Sequence, residues 1–391
     1  MSRRSVIAVV LAGGFLLALA AYLFVRLALD PERLRVMAEA RLSAAFGQPV
    51  HIGEMKVRLL PSLSVEGHDI EAGGEAGADP LVGLHSVRIV PRLSTVFSTP
   101  IEIDRVELTG LTVAARRGPD GRLVFPLPAA MPSSPAGEVE GRFQIDRVVL
   151  HDGRVRFVDA RNGEAPAIDD IEAVVSWGGE IARLESLRAA VGSSRLSGSG
   201  QAGPDGLKLS LTWSSLGPKD ADIVFAMVGA EPPAGFAIEG KEPLTIDLTL
   251  DPAGAISATG RVAAERGTAA GLMLGSLGAP LHISNGTLAL DPVSYQLYGG
   301  KGSGKLSVDM SRSPIRWSFE ARGDGVDIGG LVGSLTSTSG KVDGTGRFDA
   351  RLGGRSGQLV ASALEGSARF DVANGAIREF PLLSTIDSII G

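Results

Sequence analysis

The chain has 391 residues, 52 of them glycine, with no cysteine and a formal net charge of −6. It therefore has no disulfide framework and no thiolate metal site, and it lacks the basic stripe needed to neutralise nucleic-acid phosphates. Low aromatic content with abundant glycine fits many short strands joined by tight turns, and freedom from cysteine suits an oxidising bacterial periplasm.

The first element is a run of 21 residues, Ser5 to Val25, that carries no charge. As a helix it is about 31 Å long, enough to cross a bilayer core. Arg3 and Arg4 precede it, so the positive-inside rule puts the N-terminus in the cytoplasm and everything after Arg26 on the far side. A cleaved signal peptide is the competing reading, with Ala18-Leu19-Ala20 as the cleavage site. The apolar run continues through Tyr22, Leu23, Phe24 and Val25, which favours an uncleaved anchor over residues 1–26.

Residues 27–49 read as an amphipathic entry helix. Asp30 suits the N-cap, Pro31 the first helical position, and Gly47 the stop before Pro49. Leu34, Met37, Ala38, Leu42, Ala45 and Phe46 fall on one face, with Arg33, Arg35 and Glu39 elsewhere. Such a helix either lies at a membrane surface or plugs the end of a sheet. The second use is favoured.

Two β regions follow, 50–125 and 141–391, joined by a Pro-rich loop over 126–140. An internal repeat spans the junction. Ile101-Glu-Ile-Asp-Arg-Val-Glu-Leu108 matches Phe143-Gln-Ile-Asp-Arg-Val-Val-Leu150 in register. In each copy the apolar phase shifts by one residue, between Ile103 and Val106 and between Ile145 and Val148, as a β-bulge would produce.

Further along, Leu207, Leu209, Leu211 and Trp213 alternate with Lys208, Ser210 and Thr212. Leu244, Ile246, Leu248 and Leu250 alternate with Thr245, Asp247 and Thr249, and Ile315, Trp317 and Phe319 alternate with Arg316 and Ser318. A period of two puts each apolar set on one face of a pleated strand. A sheet half wet and half apolar is expected to pair antiparallel. Tight turns are expected at Asp120-Gly121, Asp152-Gly153, Asn162-Gly163, Asp205-Gly206, Asn285-Gly286, Asp324-Gly325 and Asn374-Gly375. Short helices are expected at Asp327–Leu335, Gly357–Leu364 and Pro381–Ile390.

Chemistry-bearing motifs are absent. The histidines His51, His68, His85, His151 and His282 show no ligand spacing. Gly299-Gly-Lys-Gly-Ser-Gly-Lys305 approaches a P-loop, but Leu306 replaces the required Ser or Thr and the segment alternates as a strand. Gly198-Ser-Gly-Gln-Ala-Gly203 matches a dinucleotide fingerprint but runs into Pro204 and another strand. No nucleophile elbow occurs, and the acids Asp169-Asp170 read as solvated loop residues. Neither a catalytic site nor a cofactor is expected. What remains is a long aliphatic face that something must cover. It either packs on itself as a sandwich or lines a groove for a greasy ligand, and periodicity leaves both open.

Several stretches resemble the AsmA family of bacterial envelope proteins. They include the anchor and helix through His51-Ile-Gly-Glu-Met-Lys-Val-Arg-Leu-Leu-Pro61, then Val87 to Leu93 with Ile101 to Val113, and Ile145 to Phe157. The C-terminal part is similar at Leu297 to Leu306, Gly325 to Ile328, Leu364 to Gly366 and Asn374 to Ile377. The chain is short for that family, and Arg378-Glu-Phe-Pro381 departs from its usual continuation. The resemblance implies a single-pass inner-membrane protein whose bulk is periplasmic, folded as an elongated, twisted antiparallel β-groove. Its larger relatives, including TamB, are related to chorein-type lipid bridges and implicated in moving phospholipid to the outer membrane. The expected partner is membrane phospholipid, held along Leu207, Leu209, Leu211, Trp213, Leu244, Ile246, Leu248, Leu250, Ile315, Trp317 and Phe319. The competing expectation is a scaffold for outer-membrane or other periplasmic proteins, recruited by strand addition.

Overall fold

A computed structural model describes residues 31–58, 62–73, 80–95, 101–117, 123–124, 138–139, 143–158, 167–217, 220, 223, 237–253, 255–269, 272–311, 315–335, 342–355 and 365–377. The predicted anchor from Ser5 to Val25, most of the Pro-rich loop, and the segments 357–364 and 381–390 lie outside them. Among the described residues no helix is long and apolar enough to cross a membrane. The fold is mainly β, and the ladders whose register is described are predominantly antiparallel. Two compact units divide it: Met1–Ala114, Pro126–Gly153 and Ser176–Gly178 form the first, and Ala115–Phe125, Arg154–Val175 and Gly179–Gly391 the second.

The first unit opens with helix α1 (Pro31–Phe46), which stops where Gly47 turns to a φ of +64°. Strands β1 (Val50–Arg58), β2 (Ser64–Ala72), β3 (Val82–Pro91) and β4 (Ile101–Arg117) follow as an antiparallel meander. Helix α1 packs on β1. Ser43 Oγ accepts from Val50 N at 2.9 Å, Glu39 Oε1 accepts from Ile52 N at 2.8 Å, and Arg35 donates to Ile52 O at 3.3 Å. These bonds cap the backbone of Val50 and Ile52 at the edge of β1. They also correct the expected faces. Arg35 and Glu39 point at the strand beside half-buried Leu34, Ala38 and Leu42, whereas Met37 is 55% exposed.

Short strands β5 (Leu123–Val124) and β6 (Glu138–Val139) lead to β7 (Phe143–Ile145) and β8 (Arg147–Val158), followed by β9 (Ala167–Gly178). The two copies of the sequence repeat lie side by side. β4 and β7 pair in parallel, Ile101 opposite Phe143, Glu102 opposite Gln144 and Ile103 opposite Ile145, the same register as the sequence match. In β4 the predicted phase shift is a bulge, with Val90 opposite Arg105 but Pro91 opposite Ile103, and it lets both Ile103 and Val106 be buried. In the second copy the strand breaks at Asp146 instead. There Asp146 N donates to Ile103 O at 2.9 Å and its carboxylate takes Arg92 at 2.6 Å. Glu102 and then Asp146 push the Arg92 pKa above its ordinary value, so this cation stays charged as a staple between the copies.

The second unit is dominated by an antiparallel meander of β10 (Ile181–Val191), β11 (Ser194–Gly203), β12 (Gly206–Trp213), β14 (Leu244–Leu250), β15 (Ile256–Ala269), β16 (Leu272–Ser284), β17 (Thr287–Leu297), β18 (Gly300–Asp309), β19 (Arg316–Asp327), β20 (Val342–Arg355) and β21 (Glu365–Ile377). The short β13 (Ala237–Glu239) adds to β15. Helix α2 (Ile328–Leu335) forms where predicted, its Gly329 N donating to Asp327 Oδ1 at 3.0 Å.

Not every predicted turn is one. Asn285-Gly286 makes a hairpin, with φ of 50° and 73°. Asp152-Gly153, Asp324-Gly325 and Asn374-Gly375 instead lie inside β8, β19 and β21. Positive φ at Asp152, Gly325 and Asn374 serves a local kink within the strand there, because the left-handed conformation that closes a hairpin also makes a bulge. The acids Asp169 and Asp170 likewise sit in β9 rather than a loop, with Asp169 paired to Arg154.

Candidate functional site

Registers in the second unit place the predicted apolar residues on one face. Leu207 stands opposite Leu250, Leu209 opposite Leu248, Leu211 opposite Ile246 and Trp213 opposite Leu244. Five strands further on, Trp317 stands opposite Val308, and Phe319 lies between Leu306 and Leu352; Ile315 just precedes β19 in the same phase. Counting through the intervening ladders puts both blocks on the same side of the meander. Ala258, Leu281, Ile283, Leu288 and Leu290 bridge them.

Alternation alone did not single out these bridging residues. Small residues interrupt the pattern, and the register shift between Leu290 and Val293 changes its phase. The signal was present in Leu288-Ala-Leu290 and Lys305-Leu-Ser-Val308, both of which alternate.

The apolar face is unequal along its strands. At one end it is sealed. Val293, Tyr295, Leu297, Ala321, Val326 and Phe348 are buried together with Ile328 and Leu331 of α2. Val326 has no exposed surface. Tyr295 lies flat across β18, and its hydroxyl donates to Arg322 O at 3.1 Å. Burial pushes its pKa to about 12, so it stays neutral. The glycines of the P-loop-like run explain themselves here. Gly300, Gly302 and Gly304 alternate onto the apolar face, and a Cβ at Gly302 would overlap the Tyr295 ring. Their spacing serves close packing rather than phosphate.

At the other end the face is not sealed. Of the predicted lining residues only Leu244 is buried, while Leu207, Leu209, Leu211, Trp213, Ile246, Leu248, Leu250, Ile315, Trp317 and Phe319 are all half-buried. Trp213 packs on the buried cluster of Ala115, Phe157, Val191 and Ile223, and Phe319 packs against the sealed cluster, while the rest keep part of their surface open. The alternate residues, such as Lys208, Ser210, Asp247, Ser318 and Glu320, are exposed on the opposite face. On that polar face a cavity of about 610 Å³ is lined by Asp291, Lys305, Glu320, Arg322, Asp349 and Arg351, among others. Its ion pairs, Lys305 to Asp291 at 2.8 Å and Arg322 to Asp349 at 2.9 Å, suit water and not a hydrocarbon.

The AsmA family model matches residues 1–208 and 253–390. The chain belongs to the AsmA family. No curated protein and no solved structure matches this AsmA-family chain. Membership is consistent with a lipid-related role in the cell envelope. Among its described residues no group of His, Asp and Glu could hold a metal ion.

Proposed function

We propose that this AsmA-family protein is a non-enzymatic carrier of phospholipid at the bacterial inner membrane, with acyl chains lying along the half-buried end of the apolar face. The chain is anchored by Ser5–Val25 with its bulk in the periplasm, and it serves outer-membrane lipid homeostasis. The observation that supports this most is the burial contrast along a single face. Helix α2 covers one end, and rows of Leu, Ile, Trp and Phe at the other keep part of their surface open. Apolar contact is worth about 25 cal/mol per Å² and has no preferred direction. A continuous apolar lining therefore lets a chain slide by replacing one contact with the next. Headgroups remain in water at the rim, so no buried charge is required of the protein.

The test is the lipid that stays bound after gentle purification, read by mass spectrometry. Wild type is expected to retain phospholipid, and Leu248→Asp to lose it while keeping its circular dichroism spectrum. A folded Leu248→Asp protein that retains wild-type lipid would sink the carrier reading.

A second reading is a scaffold that recruits outer-membrane proteins by strand addition. It is favoured by β21, the last strand of the meander, whose described side chains are all exposed, including Phe370 at 54% and Val372 at 50%. Exposed apolar strands are templates for pairing. This reading predicts protein crosslinks at Phe370 and no co-purifying lipid.

A further inference from the structure

Helix α1 has two working faces, and β1 accounts for only one. Bonds from Arg35, Glu39 and Ser43 to the β1 backbone fix the rotation of the helix. That rotation turns Arg33, Val36, Met37, Ala40, Arg41 and Ala44 outward, all of them exposed. Their spacing of three and four residues is one continuous helical stripe. Val36 and Met37 are 54% and 55% exposed at its centre. Single exposed apolar residues are ordinary, but here four apolar residues adjoin, and both charged residues of the stripe are arginines.

Glu32 and Glu39 both pair with Arg35. Both charged side chains of the stripe are basic on a chain of net charge −6. Arginines about 12 Å apart along a helix, flanking an apolar centre, can lay their stems on the same surface and keep their guanidinium groups at its polar layer.

We propose that this outward stripe of α1 seats on an anionic phospholipid surface. Val36, Met37, Ala40 and Ala44 enter the headgroup–acyl boundary, and Arg33 and Arg41 meet lipid phosphates. Two features select a bilayer as the occupant. One is charge complementarity. The other is continuity with the uncharged run, which ends at Val25, six residues before the helix begins at Pro31. The inference rests on the membrane-anchored reading above and adds to it. One face of α1 closes the end of a sheet while the other fixes that sheet against the membrane.

The absence of cysteine makes the test direct. Single cysteines at Val36, Met37 or Ala40 of the full chain, and at Lys208 as an exposed control, are labelled with an environment-sensitive dye. The protein is reconstituted into phosphatidylcholine vesicles with or without phosphatidylglycerol. The α1 sites are expected to show a blue-shifted emission and several-fold protection from an aqueous quencher, strongest with phosphatidylglycerol. Lys208 is expected to show neither. Arg33→Glu with Arg41→Glu is expected to weaken the protection, and added salt to weaken it in the wild type.

If the protein floats with the vesicles but the α1 sites report water, this proposal falls and the anchor stands. If it does not float at all, the anchored reading fails and takes this proposal with it. If the blue shift appears equally without vesicles, a protein surface covers the stripe and the proposal is wrong.

Discussion

The two ends of the apolar face in the second unit share one sheet and one side of it, across a register shift between Leu290 and Val293, yet they differ in what covers them. At the Tyr295–Val326 end, glycines on β18 let an aromatic ring lie flat and α2 closes over it. At the Leu209–Leu248 and Trp317–Phe319 end, side chains of similar size stay half-buried. Alternation specifies which side of a sheet is apolar; it does not specify whether protein or a guest will cover it. That is decided by a helix of eight residues placed after β19.

Charge substitutions should separate the ends most sharply. Val326→Asp puts an unpaired carboxylate where no surface is exposed, and is expected to cost about 4 kcal/mol or more. It should leave little folded protein in a denaturant titration. Leu248→Asp, on the half-buried end, is expected to cost far less and to act on lipid instead. Equal losses at the two positions would erase the distinction.

Volume probes come next. Gly302→Ala drives a methyl into the Tyr295 ring and is expected to cost about 1–3 kcal/mol, measured as a drop in denaturant midpoint. Gly178→Ala, whose added methyl meets nothing within 4 Å, should leave the midpoint in place.

The sealed end also carries a pH signature. The fold raises the Tyr295 pKa from 10.0 to about 12, so it favours the neutral phenol. The resulting stability is fully present below pH 10 and is lost as pH rises through about 12. Tyr295→Phe removes this loss. The gap between wild type and variant should therefore shift in favour of the variant only above pH 10, by at most about 3 kcal/mol. A gap independent of pH would place the phenol in water. The smallest effect is expected on the polar face. Lys305→Met breaks an exposed pair with Asp291 and should not measurably move the midpoint, since such pairs are screened by solvent.

Much of this was legible in the sequence. The strand phases, the stop of α1 at Gly47, the placement of α2 and the in-register repeat can all be read from periodicity and from Asp, Pro and Gly at their termini. Three things were not. The Asp-Gly and Asn-Gly pairs in β8, β19 and β21 looked like hairpins because hairpins and bulges draw on the same positive φ. Arg35 and Glu39 looked solvent-facing because a charged residue's preference for water hides its bonds to the exposed edge of β1. The extent of the apolar face across β15 to β18 was hidden by alanines and glycines, whose small side chains weaken the alternation that larger residues display.

The central claim is that hydrocarbon contacts the half-buried end of the face and nothing else on the sheet. It is tested most directly by placing a photo-reactive phenylalanine analogue in turn at Leu209, Leu248, Phe319, Leu297 and Asp247, irradiating in cells and identifying the adducts. Phospholipid adducts are expected at Leu209, Leu248 and Phe319, and none at Leu297 under α2 or at Asp247 on the polar side. Lipid adducts absent from all three open positions, or as frequent at Asp247 as at Leu248, would contradict it.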